Sequence, residues 1–531
     1  MTSNIHVLIG SGNREKISSI EGDMHRNTGR MSLLGCRVLK KKMPGARQIF
    51  AFQLLVVLVA SMFLAGCGPR RTPNLGQIFS EARKLTGKRP LVIIPGVLGS
   101  QLVNSKTKEV VWPAAFRAKG GGLALPVTPN LAANRDDLEP RSIIDTLKFS
   151  RLIPEIFIYH QLLEALRDFG GYSEGDWDNP GETGDRDKFY VFAYDWRRDN
   201  VENAALLIRR LSELKSRLDR PDLRFNIVAH SMGGLIARYA AEYGETDLPS
   251  DGVAPVPTWA GAVHINKILM FGTPNEGAAD AFVTLLDGYS ITDGRHARLR
   301  LLTNLGPEDN FTAPSLFQLM PHSGSVRFLD SDLKPIEVDL YDPNTWRKYG
   351  WGAPNDPDYR RRFVSRRQVG KAAHQTDPTL EDLDGYMAAV IHRAQRFQEA
   401  LDAPLEGEKS VVLLAFGGDC EDTLNSPVII RDEKANRWVT MTEAKQIKSS
   451  TGRLISKKEM IAAMYAPGDG RVTRRSLLAE NLVSHQSGSP FVKAGLPFAY
   501  AVFACDRHGE LQNNKNLQDN ALTALVAEAV D

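Results

Sequence analysis

Cysteine is scarce in this sequence, and its scarcity excludes two kinds of protein. Four cysteines occur in 531 residues, which is too few for a small fold held together by a disulfide framework. None of them stands in a Cys-x-x-Cys pair, the spacing that is typical of zinc-binding modules. We therefore expect a fold that is held by a hydrophobic core and that needs neither a metal nor a cofactor.

An excess of charge of one sign is also absent. The 66 basic and 63 acidic residues almost cancel and leave a formal net charge of +3, which gives no indication of a nucleic-acid partner. Hydrophobic residues make up 42% of the chain and charged residues 24%, proportions that are typical of a globular protein with a buried core. The length allows two or three domains, or one large domain with insertions.

A hydrophobic run of membrane-spanning length is missing as well. The apolar run from Ile49 to Leu64 is shorter than the ~20 residues that a spanning helix needs. It follows a basic patch at 40–47 and ends in Leu64-Ala65-Gly66-Cys67, which resembles a bacterial lipoprotein signal peptide. We predict that Cys67 is lipidated and anchors the protein to a membrane of the bacterial cell envelope, facing the periplasm or the exterior, with the outer membrane favoured. A transmembrane anchor is the alternative.

From residue 89 onward, apolar runs of strand length alternate with amphipathic helical segments. One helix carries Leu207, Leu211, Leu214 and Leu218 as a single apolar stripe that ends before Pro221. Strands that alternate with helices predict an α/β fold, with a mainly parallel central sheet flanked by helices. Strands are predicted at 90–95, 188–194, 265–271, 410–416 and 499–504, and a closing helix at 517–529. The predicted organisation is a non-structured extension or overlong start (1–42), a signal peptide (43–66), a tether (67–88), a core in two parts (89–284 and 406–531) and an inserted cap or lid (285–405).

The most informative segment is Ala229-His230-Ser231-Met232-Gly233. An apolar run ends just before Ser231, and helix-forming residues follow it directly. Small residues two positions to either side permit the sharp strand-to-helix turn that exposes a nucleophilic serine in α/β-hydrolases. Ala229 replaces the usual first glycine by one methyl group. We predict an α/β-hydrolase with Ser231 as its nucleophile.

A nucleophilic serine needs a histidine to remove its proton and a carboxylate to orient that histidine. In this fold the acid and then the histidine follow the serine along the chain. Asp469, in a glycine-flanked turn, is the predicted acid, with Asp419 and Glu421 as alternatives. His508, just past the last predicted strand, is the predicted base, with His485 as the alternative.

The developing negative charge needs two backbone N–H donors, the oxyanion hole. The amide of Met232 directly follows the nucleophile and is the first predicted donor. The loop after the first strand, Gly96-Val97-Leu98-Gly99, exposes its backbone, and the amide of Val97 is the second. Because both donors are backbone groups, Val97→Ala should have little effect.

The motifs together resemble the lecithin:cholesterol acyltransferase family, which includes lysosomal phospholipases, phospholipid:diacylglycerol acyltransferases and bacterial relatives. The resemblance runs from about residue 89 to 510. It implies a triad of Ser231, Asp469 and His508, and lipid acyl esters as substrates. It rests on these motifs in this order: Pro95-Gly96-Val97-Leu98-Gly99-Ser100, Tyr194-Asp195-Trp196-Arg197, Ala229-His230-Ser231-Met232-Gly233, Gly272-Thr273-Pro274, Pro314-Ser315-Leu316-Phe317 and Gly468-Asp469-Gly470.

The predicted function is that of a serine lipase, phospholipase or O-acyltransferase that forms an acyl-enzyme with a lipid acyl ester and passes the acyl group to water or to an alcohol acceptor. The alternatives are a carboxylesterase or thioesterase for soluble substrates, and a lipoprotein that keeps the fold only as a scaffold. The oligomeric state is left open.

Three further features are interpreted more narrowly. We expect Trp112 to be buried rather than in contact with lipid. The arginines between 360 and 367 are interpreted as a solvated, salt-bridged face rather than a site for anionic head groups. A disulfide between Cys420 and Cys505 would suit an oxidising periplasm, and the sequence leaves it open.

Overall fold

The structure is a computed structural model that describes residues 7–8, 72–113, 122–147, 156–290, 304–322, 324–369, 379–405, 411–482 and 495–527. Residues 1–9 and 74–531 form one compact unit, and the fold below is that of this unit. The predicted signal peptide, the lipidated Cys67 and the alternative base His485 lie outside the described residues. Within the described part of the chain, no helix is both long enough and apolar enough to cross a bilayer.

Within the described residues, eight strands form a central sheet that lies between layers of helices. Every neighbouring pair of strands is parallel, so the predicted α/β class with a parallel sheet is confirmed. The strands in chain order are β1 (Val7–Leu8), β2 (Leu91–Ile94), β3 (Ser173–Glu174), β4 (Lys188–Val191), β5 (Phe225–His230), β6 (Ile265–Phe271), β7 (Val412–Gly418) and β8 (Phe498–Ala504). Across the sheet their order is β1-β8-β7-β6-β5-β2-β4-β3.

Strand β1 lies inside the segment 1–42, which the sequence predicts to be a non-structured extension or an overlong start. It extends the sheet at its edge, where Val7 pairs with Ala501 and Leu8 with Val502. The described residues between 1 and 42 are these two alone.

Helices cover both faces of the sheet. The side chains of β2 alternate, so that Val92 and Ile94 join one apolar core while Leu91 and Ile93 join the other. Strands that are buried on both faces have continuous apolar sequences. The longer strands of the sheet are therefore easy to predict from the sequence. Among the described residues, the α-helices of five or more residues are α1 (His160–Asp168), α2 (Asn200–Arg217), α3 (Met232–Tyr243), α4 (Ala279–Asp287), α5 (Pro343–Tyr349), α6 (Pro357–Val369), α7 (Leu380–Asp402), α8 (Lys457–Met464), α9 (Arg474–Leu478) and α10 (Lys515–Val526).

Helix α2 shows how the local sequence sets an element. The side chain of Asp199 accepts hydrogen bonds from the first turn at Val201 and Glu202, which satisfies amides that have no partner inside the helix. The helix ends at Arg217, before Pro221. The predicted leucine stripe faces the core, since the side chains of Leu207, Leu211 and Leu214 are fully buried.

The described residues of the predicted cap segment, 285–405, pack largely against the core. The buried face of α7 belongs to the same apolar cluster as α2 and α3. At its end, the carbonyl of Ala400 accepts a hydrogen bond from Tyr243, and that of Leu401 accepts one from Arg238.

An antiparallel excursion follows β7, which the sequence patterns did not separate from the core range 406–531. Strands Val428–Asp432 and Arg437–Met441 join Phe328–Leu329 and Pro335–Ile336 in a four-stranded sheet. These short strands alternate weakly between apolar and polar residues, so they give little periodic signal. The remaining strand groups are Ser100–Asn104 with Val110–Trp112 and Leu138–Ile143; Thr146–Leu147 with Ile156–Phe157; Tyr289–Ser290 with Asn304–Leu305; Glu421–Leu424 with Tyr465–Gly468; and Ile447–Lys448 with Leu454–Ile455.

Candidate active site

Ser231 occupies the sharp turn between β5 and α3. Its backbone has φ 52° and ψ −123°, a combination that a residue with a side chain adopts only under constraint from its surroundings. Gly233 is required beside it, because an added Cβ would lie 2.6 Å from the carbonyl oxygen of Pro95. Ala229 stands inside a fully buried strand, where its methyl group is accommodated. This is the strand–serine–helix turn that the sequence predicts.

The structure brings Ser231, His508 and Asp469 together. The Nε2 atom of His508 lies 2.9 Å from the Oγ atom of Ser231, and its Nδ1 atom lies 2.8 Å from Oδ2 of Asp469. The other carboxylate oxygen of Asp469 accepts hydrogen bonds from the amides of Arg471 and Val472, at 3.0 and 2.7 Å. The carboxylate is therefore held with one oxygen directed at the histidine.

The alternative acids lie elsewhere. Glu421 faces Arg507, with 3.6 Å between Oε1 and Nε. No hydrogen bond joins Asp419 to His508 within the described residues. The acid that contacts His508 is thus Asp469, although it follows the antiparallel excursion rather than a strand of the central sheet.

Two cysteines link the strands that lead to the acid and the base. Cys420 follows β7 and Cys505 follows β8, and their sulfur atoms are bonded, with 5.2 Å between the Cα atoms. The disulfide that the sequence left open is therefore formed. It joins the loop after β8, which carries His508, to the end of β7, where the antiparallel excursion that leads to Asp469 begins.

The loop 95–100 is held by hydrogen bonds from distant parts of the chain. The hydroxyl of Tyr194 donates to the carbonyl of Pro95 at 2.8 Å. The indole N–H of Trp112 donates to the carbonyl of Leu98 at 2.8 Å, and Trp112 is 3% exposed, so its role is to pack inside the protein. Tyr194, the first residue of the motif 194–197, thus helps to hold the loop 95–100 in place.

The amide of Val97 is set by the same loop. The carbonyl of Gly96, which shares a peptide plane with that amide, accepts a hydrogen bond from Gly99 at 3.1 Å. Val97 lines the cleft at Ser231. No hydrogen bond within the described residues occupies the N–H of Val97 or that of Met232, which leaves both amides available to a ligand oxygen.

Two buried residues near the triad were not singled out by the sequence analysis. Tyr159 precedes α1, and its hydroxyl lies 2.9 Å from Nδ1 of His230, the neighbour of Ser231. The pKa of His230 is lowered to about 3, first because the ring is buried and then because His508 lies close. His230 belongs to the motif at 229–233 but had no predicted role there, and no local pattern indicates Tyr159, which lies 71 positions away.

The triad opens into a mainly apolar cleft with an empty volume of about 1000 Å³. An ion pair interrupts the apolar lining: Arg471 binds Asp280 at 2.6 Å, and its guanidinium lies 4.5 Å from the ring centre of Tyr289. The apolar side chains that line the cleft include Ile144, Ile158, Ala278, Ala281, Leu316 and Leu319.

Three of the arginines that were predicted to form a salt-bridged face have acidic partners. Arg360 binds Asp384 at 2.6 Å, Arg361 pairs with Asp358 and Arg362 pairs with Glu308, so these three arginines form a salt-bridged surface. No cluster of three or more histidine, cysteine or acidic side chains suited to a metal ion occurs among the described residues.

Solved structures similar to this chain include hydrolases, at low similarity. The structure described as the Tle4-Tli4 complex is 14% identical over 83% of this chain and 99% of that chain, with a TM-score of 0.45. The lipase BlEst2 of Bacillus licheniformis is 11% identical over 83% of this chain and 92% of its own, with a TM-score of 0.28. EstA of Clostridium botulinum is 13% identical over 87% and 92% of the two chains, with a TM-score of 0.28. No curated protein matches the chain.

The comparison with family models gives a clearer result. The model described as lecithin:cholesterol acyltransferase matches residues 153–346, a range that contains Ser231 but ends before Asp469 and His508. Around that range the chain has the parallel sheet and the serine turn of an α/β-hydrolase. The resemblance of this chain to the lecithin:cholesterol acyltransferase family is therefore confirmed, with the family match running from residue 153 to residue 346.

Proposed function

We propose that this protein is a serine-dependent acyl hydrolase or O-acyltransferase that acts on lipid acyl esters through an acyl-enzyme. The family match supports a lipid ester hydrolase or acyltransferase. The observation that carries the serine mechanism is the hydrogen bond of 2.9 Å between Ser231 and His508 at the base of an apolar cleft.

In the first step, Nε2 of His508 takes the hydroxyl proton of Ser231 while Oγ forms a bond to the acyl carbon of the ester. Asp469 holds the histidine ring in the required tautomer and stabilises the imidazolium that forms. The carbonyl oxygen becomes an oxyanion, which the amides of Val97 and Met232 stabilise. Loss of one such donor typically costs about 3 kcal/mol in the barrier.

The tetrahedral intermediate then breaks its bond to the leaving alcohol. His508 returns its proton to that oxygen, which leaves the acyl group on Ser231 and the histidine neutral. In the second half of the reaction, His508 removes a proton from water or from an acceptor alcohol, and the new oxygen takes the acyl group from Ser231. The choice between hydrolysis and transfer depends on which nucleophile reaches the acyl-enzyme.

The lining of the cleft favours a substrate with an acyl chain. Each buried methylene contributes about 0.8 kcal/mol, so even a short chain would gain appreciable binding free energy between side chains such as Ile158 and Leu316. We therefore propose lipid esters, phospholipid or acylglycerol, rather than small soluble esters.

A lipid anchor at Cys67 would hold the enzyme at such a substrate. We propose that Cys67 is acylated and fixes the protein to a membrane of the bacterial cell envelope. Growth with a radioactive fatty acid tests this: label in the native protein that is lost in Cys67→Ala supports the anchor, and absence of label in the native protein contradicts it.

A panel of lipid vesicles tests the proposed activity. Native protein and Ser231→Ala are incubated with phospholipid or diacylglycerol vesicles, with and without an added alcohol. We expect the native protein to release fatty acid, or to form the new ester when the alcohol is present, and Ser231→Ala to do neither. Equal release by both proteins would remove Ser231 from the mechanism.

A further inference from the structure

Four groups form a continuous chain of hydrogen bonds behind the triad. The amide of Gly96 donates to the Tyr159 hydroxyl at 2.8 Å, and that hydroxyl lies 2.9 Å from Nδ1 of His230. The Nε2 atom of His230 lies 3.0 Å from the backbone carbonyl oxygen of His508. Tyr159 and His230 are 2% and 9% exposed, so water does not compete freely for these bonds.

The two ends of this chain fix the direction of every proton in it. The Gly96 amide can only donate, and the His508 carbonyl can only accept, so Nε2 of His230 must carry a hydrogen. A neutral imidazole has one N–H, hence Nδ1 of His230 is an acceptor, and the hydroxyl of Tyr159 donates a hydrogen bond to it. The hydroxyl oxygen in turn accepts from Gly96.

Protonation of His230 would break this arrangement. Both ring nitrogens would then be donors, and Nδ1–H would face a hydroxyl whose own proton would lose its acceptor. Burial, and after it the nearby charges of His508 and Arg471, lower the pKa of His230 to about 3. His230 therefore stays neutral over the pH range in which esterases work.

The chain joins the three parts that the proposed reaction needs. One end holds Gly96, the residue before the oxyanion donor Val97. The middle residue, His230, is bonded in sequence to Ser231. The other end holds the carbonyl of His508, whose amide donates to the carbonyl of Asp469 at 2.9 Å, so the backbone of the base is fixed on both sides.

The packing around Gly96 leaves no room for a side chain. A Cβ added there would lie 2.9 Å from Cβ of Ser231 and 3.1 Å from Nδ1 of His230. The glycine thus permits the loop to approach both the nucleophile and the hydrogen-bonded imidazole.

We propose that Tyr159 and His230 are positioning residues that fix the oxyanion loop and the base His508 relative to each other. They act through Val97 and His508 rather than on the ester itself, and the proposal rests on the serine mechanism described above. In the transition state the oxyanion donor and the base must be in place together, so a loosened link should lower kcat and leave KM little changed.

Steady-state kinetics on a soluble p-nitrophenyl ester test the proposal. We expect Tyr159→Phe and His230→Gln each to lower kcat by roughly 10–100-fold, less than the loss of an oxyanion donor itself, with KM within about twofold of native. Tyr190→Phe is the matched control, because Tyr190 is also a buried tyrosine that donates to a backbone carbonyl, that of Gly184 at 2.7 Å, but lies outside the cleft. It should keep native kcat.

The double variant distinguishes two residues that act through one chain of hydrogen bonds from two substitutions that each disturb the structure independently. Residues that act as one unit have non-additive effects, so Tyr159→Phe with His230→Gln should lose no more than the larger single loss, within about threefold. Losses that multiply, a native kcat in Tyr159→Phe, or an equal loss in Tyr190→Phe would each overturn the proposal.

Nitrogen-15 spectra of histidine-labelled protein test the chain of hydrogen bonds without relying on catalysis. The His230 signals, assigned by their loss in His230→Gln, should show the Nε2–H tautomer from pH 5 to 8, and the Nδ1 signal should shift in Tyr159→Phe. A His230 that titrates in this range, or that carries its proton on Nδ1, contradicts the proposal. If the native protein hydrolyses no ester, the proposed function fails. The spectra still decide whether the chain of hydrogen bonds exists.

Discussion

At the residue scale, neighbours determine what each group of the site can do. One oxygen of Asp469 is occupied by the amides of Arg471 and Val472, which leaves the other for Nδ1 of His508. That bond places the imidazole hydrogen on Nδ1 and leaves Nε2 as the acceptor that faces Ser231. In the proposed mechanism, the reactivity of the serine thus depends on a carboxylate that never contacts it.

Asp469→Asn tests this dependence. The asparagine oxygen can keep the two backbone amides, so its NH₂ group would face His508 and leave the imidazole hydrogen on Nε2, the wrong side for proton abstraction. We expect kcat on a soluble ester to fall by about 10⁴-fold with little change in melting temperature. An activity within tenfold of native would show that the acid lies elsewhere.

A second prediction at this scale concerns Glu276, which is fully buried. Burial raises its pKa to about 7, while hydrogen bonds from Asn481 and the charge of His322 partly oppose the rise. The pKa of Glu276 is higher in the folded state than in the unfolded state. Its contribution to the free energy of unfolding is therefore fully present below about pH 4.5 and is lost as the pH rises through 7. The loss is on the order of 3 kcal/mol.

Glu276→Gln removes that ionisation. In denaturant unfolding at pH 5 and pH 8, we expect the stability of the variant relative to native to be higher at pH 8 than at pH 5. A difference that does not change with pH would show that Glu276 does not titrate in this range.

At the scale of elements, the carboxyl ends of parallel strands of one sheet assemble the site. Strand β5 delivers Ser231, β2 delivers the loop of Val97 and β8 delivers His508, and in parallel sheets these ends lie along one edge. Asp469 arrives by a different route, after the antiparallel excursion, and the disulfide between Cys420 and Cys505 ties the ends of β7 and β8.

Removal of that disulfide should therefore weaken the fold near the base. It closes a loop of sequence separation 85, and loss of a native disulfide typically costs 2–5 kcal/mol. We expect the double variant Cys420→Ser with Cys505→Ser to unfold at lower denaturant concentration than native. A reductant should lower the stability of native protein and leave the variant unchanged; equal stability of oxidised native and variant proteins would contradict the prediction.

These elements also show which features a sequence can reveal. Buried parallel strands and the turn at Ser231 carry strong local patterns, so the longer strands of the sheet were predictable, whereas the two-residue strands β1 and β3 were not. The excursion after β7 was not, because its strands are short and weakly alternating. Neither was the link between Tyr159 and His230, since a contact over 71 positions follows from packing and leaves no local pattern.

At the scale of the whole molecule, the cleft and the proposed anchor both bear on where the enzyme takes up its substrate. Both suit a substrate that lies in a membrane or another lipid aggregate. A mainly apolar cleft above the triad suits an acyl chain that leaves a membrane for the protein interior. An esterase for soluble substrates would gain nothing from aggregation of its substrate.

The rate on a medium-chain ester therefore should rise when its concentration passes the critical micelle concentration. We expect at least a severalfold increase in specific activity at that point, measured by titration of released acid. A smooth saturation curve without a rise there would favour the carboxylesterase alternative.

The most direct measurement is labelling of the native protein with a fluorophosphonate probe, followed by mass spectrometry of the modified peptide. A serine activated by the triad should react stoichiometrically at Ser231, and the reaction should be lost in Ser231→Ala and greatly slowed in His508→Ala. Native protein that remains unlabelled, or that carries the label on another serine, would contradict the serine mechanism.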